Sequence, residues 1–196
     1  LRSFITDERA AASAPMGQVM RQIMALLQPA LQRTVIEARL QLTPRVSLSI
    51  RSDDMDHVLI RQQYEFSAAH RLHVPELSDA KNKEVFGKCN NPSGHGHNYH
   101  LEVCVRAPVD SKGGTCDIAQ LDAVVDDAAV QKLDHKHLNL DVAEFGSLNP
   151  SVENIAKVIH GWLTPALKGI DVELDEVSVW ETGKTVCTYR GELERR

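Results

Sequence analysis

The sequence predicts an α+β domain: an antiparallel sheet with two helices packed on one face. Three observations carry this. From Tyr64 onward the segments run β, β, α, α, β, β; the strand segments alternate apolar and polar residues; and the two helical segments each carry one apolar stripe. The first strand ends in "FSAAHRLH". The second, "NYHLEVCVRA", sets Tyr99, Leu101, Val103 and Val105 on one face and His100, Glu102, Cys104 and Arg106 on the other. "VDSKGGTC" is a turn. "DIAQLDAVVDDAAVQKL" spaces Ile118, Leu121, Val124, Val125 and Ala128 along a helix that Asp117 can cap. "PSVENIAKVIHGWL" repeats that design, with Ser151 as cap and Ile155, Val158, Ile159, Trp162 and Leu163 as the stripe. "DEVSVWETGKTVCTYRG" closes the chain as two strands about Thr182-Gly183-Lys184.

Composition changes near residue 62. Before it, eight Arg and no Lys stand against six acidic residues, a balance of +2; after it, fourteen Lys and Arg stand against twenty-one, a balance of −7. The first part contains an internal repeat. "QVMRQIMALLQPAL" aligns without a gap on "NIAKVIHGWLTPAL", matching Val19 to Ile155, Ile23 to Ile159, Leu26 to Trp162 and Leu27 to Leu163. "IEARLQLTPRVSLSI" then follows as the final hairpin does. The expected organisation is a partial, degenerate second-half unit with its linker over 1–56, and a complete unit over 57–196. Because the chain begins with Leu1, it is expected to start inside a longer reading frame or after a cleavage.

The 196 residues are enough for one good core. A net charge of −5 argues against nucleic acid or an acidic membrane as the main partner. No apolar run is long enough to cross a bilayer, and no signal peptide is visible. Cys89, Cys104, Cys116 and Cys187 form no close-spaced framework and read as reduced thiols of a cytoplasmic protein.

The chemistry concentrates in "GKCNNPSGHGHNYH", Gly87 to His100. On a strand, His95 and His97 point to one face and can converge on one ion. A third imidazole would complete a three-histidine set that holds Zn²⁺ and leaves a position open for substrate. His70 is the best candidate, with His73 as its competitor further into the loop. Cys89 lies in loop chemistry, unlike Cys104 and Cys187, which sit within strand patterns as small hydrophobes. A free thiol titrates near ~8.5; a neighbouring cation would bring it down toward about 7, where it serves as a general base. In "KLDHKH", Asp134 can fix the tautomer of His135 and stabilise its protonated form, although an Asp-His dipeptide alone is more often just polar.

Taken together, "FSAAHRL", "VFGKCNNPSGHGHNY", "KLDHKHLNLD", "SVENIA" and "VWETGKTVCTYRGE" resemble the 6-pyruvoyl-tetrahydropterin synthase family of T-fold enzymes, over about Tyr64 to Glu192. The resemblance implies a T-fold whose subunits assemble into a barrel, hence a homo-oligomer with sites at its interfaces. It implies His70, His95 and His97 as zinc ligands, Cys89 as catalytic base, and Asp134 with His135 as a coupled acid/base pair. Glu181 would grip the pterin ring, and Ser151 and Glu153 would help to seat it, although Glu153 is equally suited to a helix first turn. The implied substrate is a small-molecule pterin triphosphate, 7,8-dihydroneopterin triphosphate, converted to 6-pyruvoyl-tetrahydropterin with loss of triphosphate. The 6-carboxytetrahydropterin synthases of queuosine biosynthesis share metal, triad and substrate. The five residues between Cys89 and His95 resemble the pyruvoyl-forming type. A catalytically idle pterin-binding T-fold protein is the third alternative.

Overall fold

Alternation along two long strands organises the molecule. The computed structural model describes residues 15–32 and 34–191. Helix α1 (Met16–Ala30) precedes a hairpin of β1 (Glu37–Thr43) and β2 (Val46–Arg51). The long β3 (Asp54–His70) leads through α2 (Asp79–Phe86) and a 3-10 turn, Gly87–Asn90, to β4 (His95–Pro108). Helix α3 runs Ile118–Val125 and continues through a π turn at Asp126–Val130 to Gln131–Leu133. The short β5 (Lys136–His137) follows, then α4 (Val152–Leu167) and the hairpin of β6 (Glu173–Thr182) and β7 (Thr185–Tyr189). The main path of the sheet is antiparallel, in the order β1-β2-β3-β4-β6-β7, and β5 pairs in parallel with the end of β3. Helix α2 was not legible in the sequence; Ser78 caps it, its side chain accepting from Lys81 N.

Register explains both core and site. Val58, Ile60, Tyr64, Phe66 and Ala68 of β3 share one buried face with Tyr99, Leu101, Val103, Val105 and Ala107 of β4; α1 and the later part of α3 lie against β3, and α4 lies against β6 and β7. Phe66 stacks on Tyr99, ring centroids 4.9 Å apart. The same two-residue period carries the face onward to the pairs Ala68↔His97 and His70↔His95. The histidines therefore stand where the apolar face runs out. Asp117 and Ser151 cap α3 and α4, and α4 buries Ile155, Ile159, Leu163 and Leu167 against the sheet. The N-terminal segment follows the same plan: α1 buries Met20 and Met24, and β2 pairs with β3 so that the hairpin extends the sheet. Both α1 and α4 carry a proline near the C-terminal end, Pro29 and Pro165. No helix among the described residues is long and apolar enough to cross a membrane.

Ile159 is fully buried beneath this face. Ile159→Ala should cost about 2–5 kcal/mol, read as a lowered urea midpoint at unchanged slope. A loss under about 1 kcal/mol would mean that α4 does not seal the core.

Candidate active site

Three imidazoles meet at the end of the core face. One ring nitrogen from each of His70, His95 and His97 lies within 4.8 Å of the others. His73, the competing candidate, is elsewhere: its Nδ1 faces Asn90 Nδ2 at 3.1 Å and the Arg71 guanidinium at 3.3 Å. The chain is shaped around the cluster. Gly94 has φ +69, and a Cβ there would lie 2.7 Å from His137 Nε2 and 3.0 Å from the His70 carbonyl oxygen. Only glycine fits that approach.

The His70 ring is fully buried, and its Nδ1–H donates to the Pro150 carbonyl at 2.7 Å. That bond leaves Nε2 as a bare lone pair in the neutral ring. Yet Nε2 stands 3.1 Å from Glu181 Oε1, and His97 Nε2 is 3.5 Å from the same oxygen. A lone pair facing a carboxylate is two acceptors in contact, so no neutral hydrogen bond joins them; a cation or an added proton must lie between. Burial holds the His97 and His95 rings below the ordinary imidazole range, with the neighbouring imidazoles adding to the effect and Glu181 opposing it. The Nε2 atoms of all three rings are buried without a hydrogen-bond partner. Unpartnered and convergent imidazoles fit a divalent metal, and the depressed His95 and His97 rings take an added proton poorly. Where His70 presents a proton to it, Glu181 is held low, chiefly by that hydrogen bond, against the upward push of its own burial.

Cys89 sits in the 3-10 turn that precedes β4. Its carbonyl accepts from Leu72 N at 2.8 Å, and Asn90 Nδ2 donates to the Leu72 carbonyl at 2.7 Å, so this turn is stitched to the loop that follows His70. Burial, and then the charge of Glu181, push the Cys89 thiol up. The sequence predicts a lowered thiol, and among protein groups alone the opposite holds, because burial disfavours the thiolate and the charge that acts on it is a carboxylate.

Asp134 and His135 form a direct pair, Oδ2 to Nδ1 at 2.7 Å. His135 adopts a left-handed backbone at φ +56, uncommon for a residue with a Cβ. The conformation lets β3 grip the pair twice: Ser67 N donates to Asp134 Oδ1 at 2.8 Å, and His135 N donates to the Ser67 carbonyl at 2.6 Å. Asp134 is held low first by that Ser67 N–H and then by His135. The His135 ring is largely exposed and, with His97, lines an open cleft of about 530 Å³.

Ser151 and Glu153 occupy the start of α4. The Ser151 hydroxyl faces Asn154 N as a cap at 3.5 Å, and Glu153 is exposed in the first turn. Ser151 adjoins the site through Pro150, whose carbonyl orients His70. Two contributors had no sequence signature. Tyr99 alternates with Leu101 and reads as core, yet its hydroxyl is buried without a partner, and its ring lies 5.6 Å from that of His97. The Pro150 carbonyl is backbone, which no side-chain pattern reveals.

Comparison with known proteins agrees with this geometry. Residues 59–192 match the family described as 6-pyruvoyl tetrahydropterin synthase. The 6-pyruvoyl tetrahydrobiopterin synthase of Drosophila melanogaster is 46% identical over 127 residues, covering 64% of this chain and 75% of that protein. The human 6-pyruvoyl tetrahydrobiopterin synthase is 40% identical over 135 residues, covering 68% and 91%. The structure of Caenorhabditis elegans 6-pyruvoyl tetrahydropterin synthase superposes with a TM-score of 0.63 at 39% identity, over 69% of this chain and 96% of that one. With the T-fold sheet, the matched segment and these identities in agreement, the chain belongs to the 6-pyruvoyl tetrahydropterin synthase family.

Proposed function

We propose that the chain is a zinc-dependent lyase that converts 7,8-dihydroneopterin triphosphate to 6-pyruvoyl-tetrahydropterin and triphosphate. The observation that carries the metal is the meeting of three buried, unpartnered Nε2 atoms with the Glu181 carboxylate. His70, His95 and His97 would hold the zinc, which when bound supplies a Lewis acid that acidifies the side-chain hydroxyls and the C–H bonds beside them. Cys89 takes a proton from the side chain. The Asp134–His135 pair, open to the cleft, accepts and returns protons, its imidazolium stabilised by the carboxylate. The two electrons that reduce the ring come from the side-chain carbons, and the C–O bond to triphosphate breaks, so no hydride donor enters. Glu181, with Ser151 and Glu153 near the start of α4, orients the pterin. A carboxylate is suited to the ring's N–H donors because it only accepts. The working form is a homo-oligomer with sites at its interfaces, in the cytoplasm.

Within this reading, residues 57–196 are the complete unit and 1–56 a degenerate half unit that acts as scaffold. No histidine precedes His57, and Thr43 or Pro44 falls where Glu181 would be. Deleting residues 1–56 should change the sedimentation of the protein more than its activity per zinc. An unchanged oligomer with lost activity per zinc would overturn the scaffold role.

The function is tested by incubating purified, zinc-loaded protein with 7,8-dihydroneopterin triphosphate and identifying products by mass spectrometry. The expected pair is 6-pyruvoyl-tetrahydropterin and triphosphate. The 6-carboxy product, or unchanged substrate, would overturn the assignment.

A further inference from the structure

A second cleft, of about 790 Å³, opens beside His95 and carries a charge the rest of the chain does not predict. Its walls include Arg71, Lys83, Lys88 and Asn90, with Asp79 as the only carboxylate among the described lining residues. Three cations against one anion stand here in a protein of net charge −5. Lysines on a surface are usually solvated and need no ligand. Two observations separate this cleft from that case. Among the described residues none of the three cations is ion-paired, whereas nearby Lys81 is tied to Glu84 at 2.9 Å. Arg71 Nε is also buried without a hydrogen-bond partner, a position that costs free energy unless an acceptor is supplied.

The cleft is also pre-organised. Asn139 clamps the backbone of Arg71 from both sides, Oδ1 accepting from Arg71 N at 2.8 Å and Nδ2 donating to its carbonyl at 2.9 Å. Lys88 lies in the turn stitched to Leu72, one residue before Cys89. A planar guanidinium with unused donors, flanked by two ammonium groups, matches a chain of phosphoryl groups better than a single carboxylate.

We propose that this cleft binds the oligophosphate end of the substrate, with Arg71, Lys83 and Lys88 taking the phosphoryl oxygens while the reacting side chain lies at His95. The inference rests on the pterin triphosphate reading for the identity of the ligand, and on the cleft alone for its chemical class. Holding the leaving group there would keep the C–O bond that breaks within reach of the imidazole cluster, and would let the charge on departing triphosphate be met by fixed cations.

The test uses the full, zinc-loaded chain and two ligands that differ only in their phosphates, neopterin and neopterin triphosphate, titrated by pterin fluorescence. Lys83→Ala/Lys88→Ala should weaken the triphosphate form by about 100-fold, since each charge-assisted contact is typically worth about tenfold or more. Binding of neopterin should stay within about twofold, with zinc content unchanged, because neither lysine is placed at the metal or the pterin. Rising salt should weaken the triphosphate form selectively in the wild type, and should do so less in the variant. A loss of less than about threefold, or equal losses for both ligands, would overturn the proposal. If neither pterin binds wild-type protein, the pterin reading fails, and calorimetry with inorganic triphosphate decides the cleft separately. Binding that the double variant loses supports an anion site without the pterin; no binding to the wild type ends the proposal.

Discussion

Replacing His95 and His97 together with alanine should leave the protein folded, without zinc and without measurable turnover. Wild-type protein should carry about one zinc per chain, because three neutral imidazoles on adjacent strands suit its preferred geometry. His70 alone cannot retain the ion, for one imidazole supplies only a fraction of the binding of a complete set. The fold should survive, because what the variant deletes are polar atoms buried without hydrogen-bond partners. Both side chains are also only partly buried, at the end of the core face. Metal content by atomic absorption and the melting temperature with and without a chelator test the two halves. Chelation should lower the wild-type midpoint, since an ion held by all three rings would bind the native state selectively, and should leave the variant unmoved. Full zinc occupancy in the double variant would remove the metal site from these residues.

Much of this site was legible because it follows from two periodicities. His95 and His97 are two apart on a strand, and β3 pairs with β4 so that His70 faces His95. A two-residue period and an antiparallel hairpin are enough to bring the three together. Asp117 and Ser151 were legible as caps because capping is a local bond between a side chain and a backbone amide a few residues on. The alignment of α1 on α4 rests on a local stripe too, but α1 buries Met20 and Met24, while the aligned Val19, Ile23 and Leu27 are only half-buried and Leu26 is exposed.

What could not be read depends on contacts distant in sequence or made by backbone. The tautomer of His70 is set by the Pro150 carbonyl, eighty positions away. The left-handed backbone of His135 serves two bonds to Ser67, which a polar dipeptide does not announce. Helix α2 is not legible in the sequence because its exposed residues carry little apolar stripe; what anchors it is fully buried Asn82, which donates to the Val74 and Leu77 carbonyls and accepts from Val74 N. The direction of the Cys89 shift failed for a related reason. Sequence neighbours include Lys88, but the charge that acts on the thiol is Glu181, brought in from the last hairpin.

That last point sharpens the expectation for Cys89→Ala, which should lower kcat by about 10²–10⁴-fold, the usual contribution of a positioned general base. Zinc content and pterin affinity should stay within about twofold. The structure supplies the reason for the split. The Cys89 carbonyl, not its side chain, ties the turn to Leu72, so truncation to alanine leaves the stitching in place. Nor does the thiol belong to the imidazole group that could hold the metal. Burial and Glu181 both disfavour the thiolate, so an effective base at neutral pH requires a cation close by. Alkylation of Cys89 by iodoacetamide at pH 7, followed by peptide mass mapping, should therefore be faster in zinc-loaded than in chelator-treated wild-type protein. Mapping separates it from fully buried Cys104 and from Cys116 and Cys187, which burial also pushes up. Cys89→Ser should be as inactive as the alanine variant, because a hydroxyl in the same place is far too weak an acid to reach its anion near neutrality. Loss of zinc from Cys89→Ala would instead make the thiol a ligand, and turnover within tenfold of wild type would give the proton transfer to another group, with the Asp134–His135 pair the first to examine.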